Sequence, residues 1–162
     1  MIFLTVGSHE PFDRLVQAVD EWCGQSGRSE VFAQITAYGD YQPNNFPFVP
    51  VMDAAAYRKK CQAADVLVSH AGMGSIITAL NIGTPIVIMP RRGDLRETRN
   101  DHQLSTVQHF QDKSGIHIAK DETDIAEALE KALLEATQSA HALISPFAQD
   151  RLISFLSAAF KS

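Results

Sequence analysis

The sequence predicts an α/β fold, a parallel sheet with helices on both of its faces. Two observations carry that prediction. Apolar, β-prone runs alternate with longer segments whose apolar residues recur at helical spacing, in the order β-α-β-β-α-β-α-β-α-β-α. The strand runs are also apolar nearly throughout, which marks strands covered on both sides.

Ile2 to Val6 is the first strand, and Gly7-Ser8-His9-Glu10-Pro11 ends it. Phe12, Leu15, Val16, Val19 and Cys23 then follow at helical spacing, so a helix runs to Gly24 or Gly27. Pro11 and Asp13 suit its first turn. Val31 to Ile35 is the second strand, and Gly39 to Pro47 a turn-rich loop. Phe48 to Val51 is a short strand whose Pro50 points to a sheet edge. Asp53 caps a helix from Ala54 to about Ala63.

Val66 to Val68 is the next strand, and it runs into Ser69-His70-Ala71-Gly72-Met73-Gly74-Ser75. A helix starts near Gly74 or Ser75, reaches Asn81 and is closed by Gly83. The strand Pro85 to Met89 ends in Pro90, Arg91 and Arg92. A helix from about Asn100 to Gln111 carries Leu104, Val107 and Phe110 on one face. Ile116 to Ala119 is a last short strand. Asp124 to Ala136 is an amphipathic helix with Ile125, Ala128, Leu129, Ala132 and Leu133 inward. After Pro146, Leu152, Ile153, Phe155, Leu156, Ala159 and Phe160 form the stripe of a terminal helix. That stripe either packs on the chain's own sheet or docks another chain. No repeat or linker divides the chain, so residues 1–162 read as one domain.

Composition narrows the function. The 162 residues are 45% hydrophobic and 20% charged, as in ordinary globular domains. A net charge of -5 argues against a general nucleic-acid binder. Cys23 and Cys61 lie in helical patterns and read as buried free thiols of a reducing compartment. The N-terminal apolar run lacks a basic flank, and no window reaches the ~18 apolar residues of a membrane span. The expectation is a soluble, cytoplasmic protein that needs another component to hold it at any membrane.

The chemistry gathers between Asp65 and Gln103. Gly72 and Gly74 permit close backbone approach, and the helix behind them offers unpaired N–H groups and a positive dipole end. Together these make an anion site, for which phosphate is the usual occupant. Ser75 caps the helix or reaches the anion. His70, at the last strand position, points into the crevice or into the core. Arg91 and Arg92 follow the next strand, and arginines pair with phosphate. Asp94, Glu97, Asp101, His102 and Gln103 offer groups for ribose or sugar hydroxyls. The third glycine of a dinucleotide fingerprint is replaced by Ile77, and no G-x-x-x-x-G-K is present. The histidines show no metal-ligand spacing, and no G-x-S-x-G marks a serine nucleophile.

These residues carry a resemblance. T-V-G-S-H-E-P-F-D-R-L, F-V-P-V-M-D-A-A-A-Y, A-A-D-V-L-V-S-H-A-G-M-G-S-I, G-T-P-I-V-I-M-P-R-R and the closing N-D-H-Q stand in order from Thr5 to Gln103. The chain resembles the C-terminal, nucleotide-sugar-binding half of glycosyltransferase family 28. It is most similar to stand-alone donor subunits of two-component enzymes, of the bacterial exopolysaccharide type or like the small subunit of the dolichol-linked N-acetylglucosaminyltransferase.

The resemblance implies one half of a GT-B fold, a Rossmann-like parallel sheet that binds a UDP-sugar. By position, Gly7, Ser8 and His9 would face the nucleotide and diphosphate. The Phe48 to Met52 edge, with Val51 and Met52, would meet the uracil. His70, Gly72, Met73, Gly74 and Ser75 would take the diphosphate, with Arg91 and Arg92 near it. Glu97, Asp101, His102 and Gln103 would hold ribose and donor-sugar hydroxyls. The resemblance implies no cofactor and no essential metal. It also implies a membrane-anchored partner that binds a lipid-linked saccharide acceptor, supplies the general base and recruits the chain to the inner face of the membrane. The terminal helix, 146–162, is the candidate docking face. Transfer would be inverting, and this subunit would be inactive alone. A nucleotide-binding regulatory subunit without chemistry is the alternative, and an NAD-type enzyme the least supported reading.

Overall fold

A computed structural model of the chain describes residues 1–99 and 101–139. The elements run β1 (Ile2–Thr5), α1 (Asp13–Ser26), β2 (Val31–Gln34), β3 (Phe48–Val49), α2 (Ala54–Ala63) and β4 (Val66–His70). They continue with α3 (Met73–Ile82), β5 (Ile86–Met89), α4 (His102–Phe110), β6 (Ile116–Ile118), a 3-10 turn (Glu122–Asp124) and α5 (Ile125–Ser139). Among the described residues the strands form one parallel sheet in the order β3-β2-β1-β4-β5-β6. This is the Rossmann-like arrangement that the element order predicts. The chain winds outward from β1 to β3, then crosses back to β4 on the other side of β1. Strand order therefore reverses between β1 and β4, and a crevice opens at their C-terminal ends.

The period of two along each strand explains the layers. Ile2, Leu4, Val31, Ala33, Val66, Val68, Val87 and Met89 face α1 and α5 in one buried cluster. Phe3, Leu67, Ile86, Ile88 and Ile116 face the other way, with Cys61 of α2, Ile76 and Ala79 of α3 and Phe110 of α4. Both faces of the sheet are thus dry, which is why its strands read as continuous apolar runs. Cys23 and Cys61 belong to opposite clusters and are free thiols.

Helix boundaries follow their caps. Asp53 accepts the N–H groups of Ala55 and Ala56, both at 2.8 Å, and starts α2 as expected. Gly83 ends α3 with φ 71°, a left-handed conformation that costs glycine little. β3 stops at Val49, one register pair after Ala33↔Phe48. Pro50 brings no N–H to the ladder, so the strand expected to reach Val51 is shorter and lies at the edge.

The loop between β2 and β3 is pinned to α1. Asp20 is 2% exposed and accepts N–H groups from Asn44 and Asn45 and the Tyr41 hydroxyl. Burial pushes the Asp20 carboxyl up, but the Asn44, Asn45 and Tyr41 donors outweigh it and hold it below the usual carboxylate range.

One helix face differs from the expectation. Leu104 is 39% exposed, and only Val107 and Phe110 of the expected stripe reach the core. α4 begins at His102, and its buried residue is Phe110 at the far end. The apolar stripe after Pro146 lies outside the described residues.

Candidate functional site

The sheet is apolar through its middle and polar at one rim. Gln34, Thr5 and Ser69 are register partners across β2, β1 and β4, and each is buried at or beside a strand's C-terminal end. Buried polar groups need partners. Thr5 donates to Gln34 Oε1 at 2.7 Å, and Ser69 donates to Ser75 Oγ at 2.9 Å. Gln34 Nε2 donates to the carbonyls of Gly7 (2.9 Å) and Pro50 (3.2 Å). Thr5 and Gln34 of this row line a cleft of about 470 Å³, together with Gly7, Ser8, Val51, Met52, Ala54, Tyr57, His70, Gly74, Ser75 and Thr78.

Two backbone turns make the cleft walls. The first is the turn after β1, where Gly7 adopts φ 87°, strained for any residue with a Cβ. The second is the start of α3. Its N-cap is Gly72, no side chain caps the helix, and the first intrahelical N–H bond runs from Ile76 to Gly72. The N–H groups of Met73, Gly74 and Ser75 therefore stand at a positive dipole end with no capping side chain.

His70 sits between the two turns. Its imidazole packs against Gly7 and Gly72 so closely that a Cβ on Gly72 would overlap the ring. Burial first, and then the charge of Arg91, push the imidazole down to about 4. The ring is neutral at pH 7, so an anion here would meet backbone N–H groups and not an imidazolium. Tyr57, pushed up to about 12 chiefly by burial, is neutral as well.

The segment after β5 is occupied with its own contacts. Arg91 is 3% exposed. Its guanidinium donates to the carbonyls of Val6 (2.8 Å), Glu10 (2.8 Å), Glu97 (3.3 Å) and Pro11, and stacks 4.7 Å from the Phe12 ring centroid. Arg14 of α1 grips Glu97 through two bonds of 2.8 and 2.7 Å and also reaches Glu122 at 2.8 Å. Glu97 further accepts the Arg92 N–H at 2.9 Å, while the Arg92 side chain pairs with exposed Asp94. Asp101 accepts the Gly93 N–H, and Gln103 Oε1 accepts the Arg91 N–H.

Seven of the sequence-predicted residues therefore line one cleft: Gly7, Ser8, Val51, Met52, His70, Gly74 and Ser75. Gly72 and Met73 adjoin it at the α3 start. His9 stands exposed on the first turn. Arg91, Arg92, Glu97, Asp101, His102 and Gln103 do not line that cleft. Thr5, Gln34, Ala54, Tyr57 and Thr78 line it and were missed. A polar residue at the end of an apolar strand was the available signal for Thr5 and Gln34.

The model of the glycosyltransferase family 28 C-terminal domain matches residues 1–158. The chain belongs to this family. Comparison with curated proteins finds no match. Among solved structures, the family 28 chain is similar to MurG of Acinetobacter baumannii, with 18% identity and TM-score 0.59 over 96% of this chain and 49% of that one. It is also similar to the spinosyn forosaminyltransferase SpnP, with 16% identity and TM-score 0.62 over 87% of this chain and 36% of that one. A third similarity is to Os79 from O. sativa, solved in complex with UDP, with 15% identity and TM-score 0.59 over 85% of this chain and 34% of that one. At these identities the likeness establishes the fold, a GT-B glycosyltransferase domain. The family 28 chain spans from about a third to about half the length of those structures. Among the described residues no helix is long and apolar enough to cross a membrane.

Proposed function

We propose that this family 28 chain is the donor-binding subunit of an inverting glycosyltransferase. It takes a UDP-sugar and, with a membrane-anchored partner, passes the sugar to a lipid-linked saccharide in polysaccharide assembly. One observation carries the reading: the glycine turn after β1 and the uncapped start of α3 face each other across the strand-order reversal of a family 28 domain.

In this reading each part of the cleft has a role. The diphosphate lies at the N–H groups of Met73, Gly74 and Ser75 and at the Gly7–Ser8 turn. Uracil lies on the Val51–Met52 side, where Val51 is 65% exposed. His70 is a neutral wall beneath the phosphates. Gln103 keeps its NH2 group for a sugar hydroxyl while its oxygen accepts the Arg91 N–H. Glu97, Asp101 and His102 stand on the same segment, toward the sugar. An acceptor hydroxyl attacks the anomeric carbon, the bond from that carbon to the diphosphate oxygen breaks, and UDP leaves. The helix dipole and backbone N–H groups offset the charge that develops on the leaving diphosphate, so no metal is invoked. The base that takes the hydroxyl proton comes from the partner.

Calorimetric titration of UDP onto the purified chain tests the donor site. Saturable binding is expected, and no detectable heat at millimolar UDP removes the reading. A second reading has one observation in its favour. Among the described residues the titratable side chains lining the cleft are His70 and Tyr57, both half-buried and neutral, and neither is set up as a base. A purely regulatory nucleotide-binding subunit would bind UDP and show no transfer even with its partner present.

A further inference from the structure

The turn after β1 shows an asymmetry in its peptide groups. The carbonyl of Val6 accepts Arg91 Nη2 at 2.8 Å, and the carbonyl of Gly7 accepts Gln34 Nε2 at 2.9 Å. Arg91 also takes the carbonyls of Glu10 and Pro11. A trans peptide group is planar, with its C=O and N–H on opposite sides. Fixing the Val6 and Gly7 carbonyls thus turns the N–H groups of Gly7 and Ser8 to the opposite side, toward the cleft that Thr5, Gly7 and Ser8 line. Gly7 N–H has only a long contact, 3.4 Å to Thr5 Oγ1. Ser8, His9 and Glu10 N–H groups have no acceptor among the described residues. Successive planes of this kind need a left-handed residue between them, and Gly7 at φ 87° supplies it.

The side chains that do this are built in. Arg91 is 3% exposed and Gln34 4% exposed. Each reaches the turn from a different part of the sheet, Arg91 from beyond β5 and Gln34 from the end of β2. Among the described residues the guanidinium makes no ion pair and is spent on carbonyl oxygens and the Phe12 ring. An arginine meant for a phosphate would keep its fork free.

We propose that Arg91 and Gln34 are positioning residues for the donor diphosphate. They hold the carbonyls of the β1–α1 turn inward and so aim the Gly7 and Ser8 N–H groups at the phosphates. The proposal rests on the donor-site reading above. It replaces a direct role for the Arg91 charge with a role in setting backbone polarity. Lysine does not reproduce that role, because a point ammonium lacks the planar fork that spans several carbonyls. Glutamate at position 34 does not either, because a carboxylate repels the two carbonyls that Gln34 donates to.

The test compares UDP with uridine, since only UDP carries the phosphates. For Arg91→Lys and Gln34→Glu, UDP affinity is expected to fall at least ~10-fold while uridine affinity stays within ~2-fold. For Gln34→Glu, UDP affinity recovers as pH is lowered and the new carboxyl regains a proton to donate. Equal losses for UDP and uridine, or retained UDP affinity in Arg91→Lys, overturn the proposal and leave the donor site standing. A second measurement uses the unaltered chain and is independent of how the variants fold. In 15N-labelled protein the Gly7 and Ser8 amide resonances are expected to move on adding UDP and to stay in place on adding uridine. Movement at Met73 and Gly74 without movement at Gly7 and Ser8 overturns it. Absence of any UDP binding by the unaltered chain overturns both this inference and the donor-site reading.

Discussion

The imidazole of His70 lies directly against the backbone of Gly72, with no room left for a Cβ. The same ring also lies close to Gly7, where a Cβ would stand 3.2 Å from His70 Cε1. One side chain from the end of β4 thus props both glycine turns. The spacing between the two walls of the cleft is set by the thickness of that ring.

Gly72→Ala is therefore expected to displace the imidazole and spoil both turns at once. UDP affinity falls at least ~10-fold, and the melting temperature falls with it. Gly74→Ala is the contrast. A Cβ there meets nothing within 4 Å, and alanine is the better helix former. Its melting temperature is not lowered, while UDP, which must approach that backbone, binds more weakly. Thermal unfolding and calorimetry on the two variants check the pair. Equal behaviour of the two removes the role given to the ring.

A pH dependence follows from His70. Its folded-state value is about 4, below the ordinary 6.5. Between those values the unfolded chain binds a proton that the folded chain does not, so folding stability falls as pH drops from about 6.5 toward 4. The loss is on the order of 3 kcal/mol across that window. His70→Gln keeps a neutral polar group and removes the titration. Urea unfolding at pH 7 and pH 4.5 should show a clearly smaller pH effect in the variant. An unchanged pH effect would mean that other groups carry the acid sensitivity.

Much of this architecture was legible in the sequence. Strand positions, the Asp53 cap, the Gly83 stop and the glycine turns are written in local residue types, and local physics places them. The Gln34 contacts are different in kind. Residue 34 meets Gly7 and Pro50 only because β2 lies between β1 and β3, a fact of topology that no window of sequence contains. Arg91 and Arg92 show the same limit. Two adjacent arginines near an anion site look equivalent, yet the first is buried among carbonyls and the second pairs with Asp94 on the surface. The alternation that decides this is set by where β5 ends. Leu104 looked like core because its spacing matched Val107 and Phe110, but periodicity does not say how far along a helix the sheet extends.

The Arg14–Glu97 pair ties α1 to the segment after β5, with side-chain exposures of 15% and 13%. A bidentate pair so sheltered is worth more than a surface ion pair, and removing one partner strands the other. Arg14→Met or Glu97→Gln should each cost about 2–4 kcal/mol. The double variant should cost less than the sum, with a coupling of at least about 1 kcal/mol in a denaturant-based double-mutant cycle. Additive losses would show that the two residues act separately. The segment also carries Gln103 and Asp101, so loosening it should weaken UDP-sugar binding more than UDP binding.

The polar row formed by Gln34, Thr5 and Ser69 has a consequence for how the sheet assembles. A strand that is apolar on both faces carries little to mark its alignment with its neighbours. Sliding β1 by one residue would turn the Thr5 hydroxyl away from the face it shares with Phe3 and part it from Gln34 Oε1, leaving buried oxygens without partners. Each orphaned group would cost roughly 1–3 kcal/mol. Only one alignment of β1 and β2 lets the Thr5–Gln34 bond close. The side chains that give the rim its chemistry thus also stop the strands from sliding, and misaligned sheets are penalised before any ligand is bound.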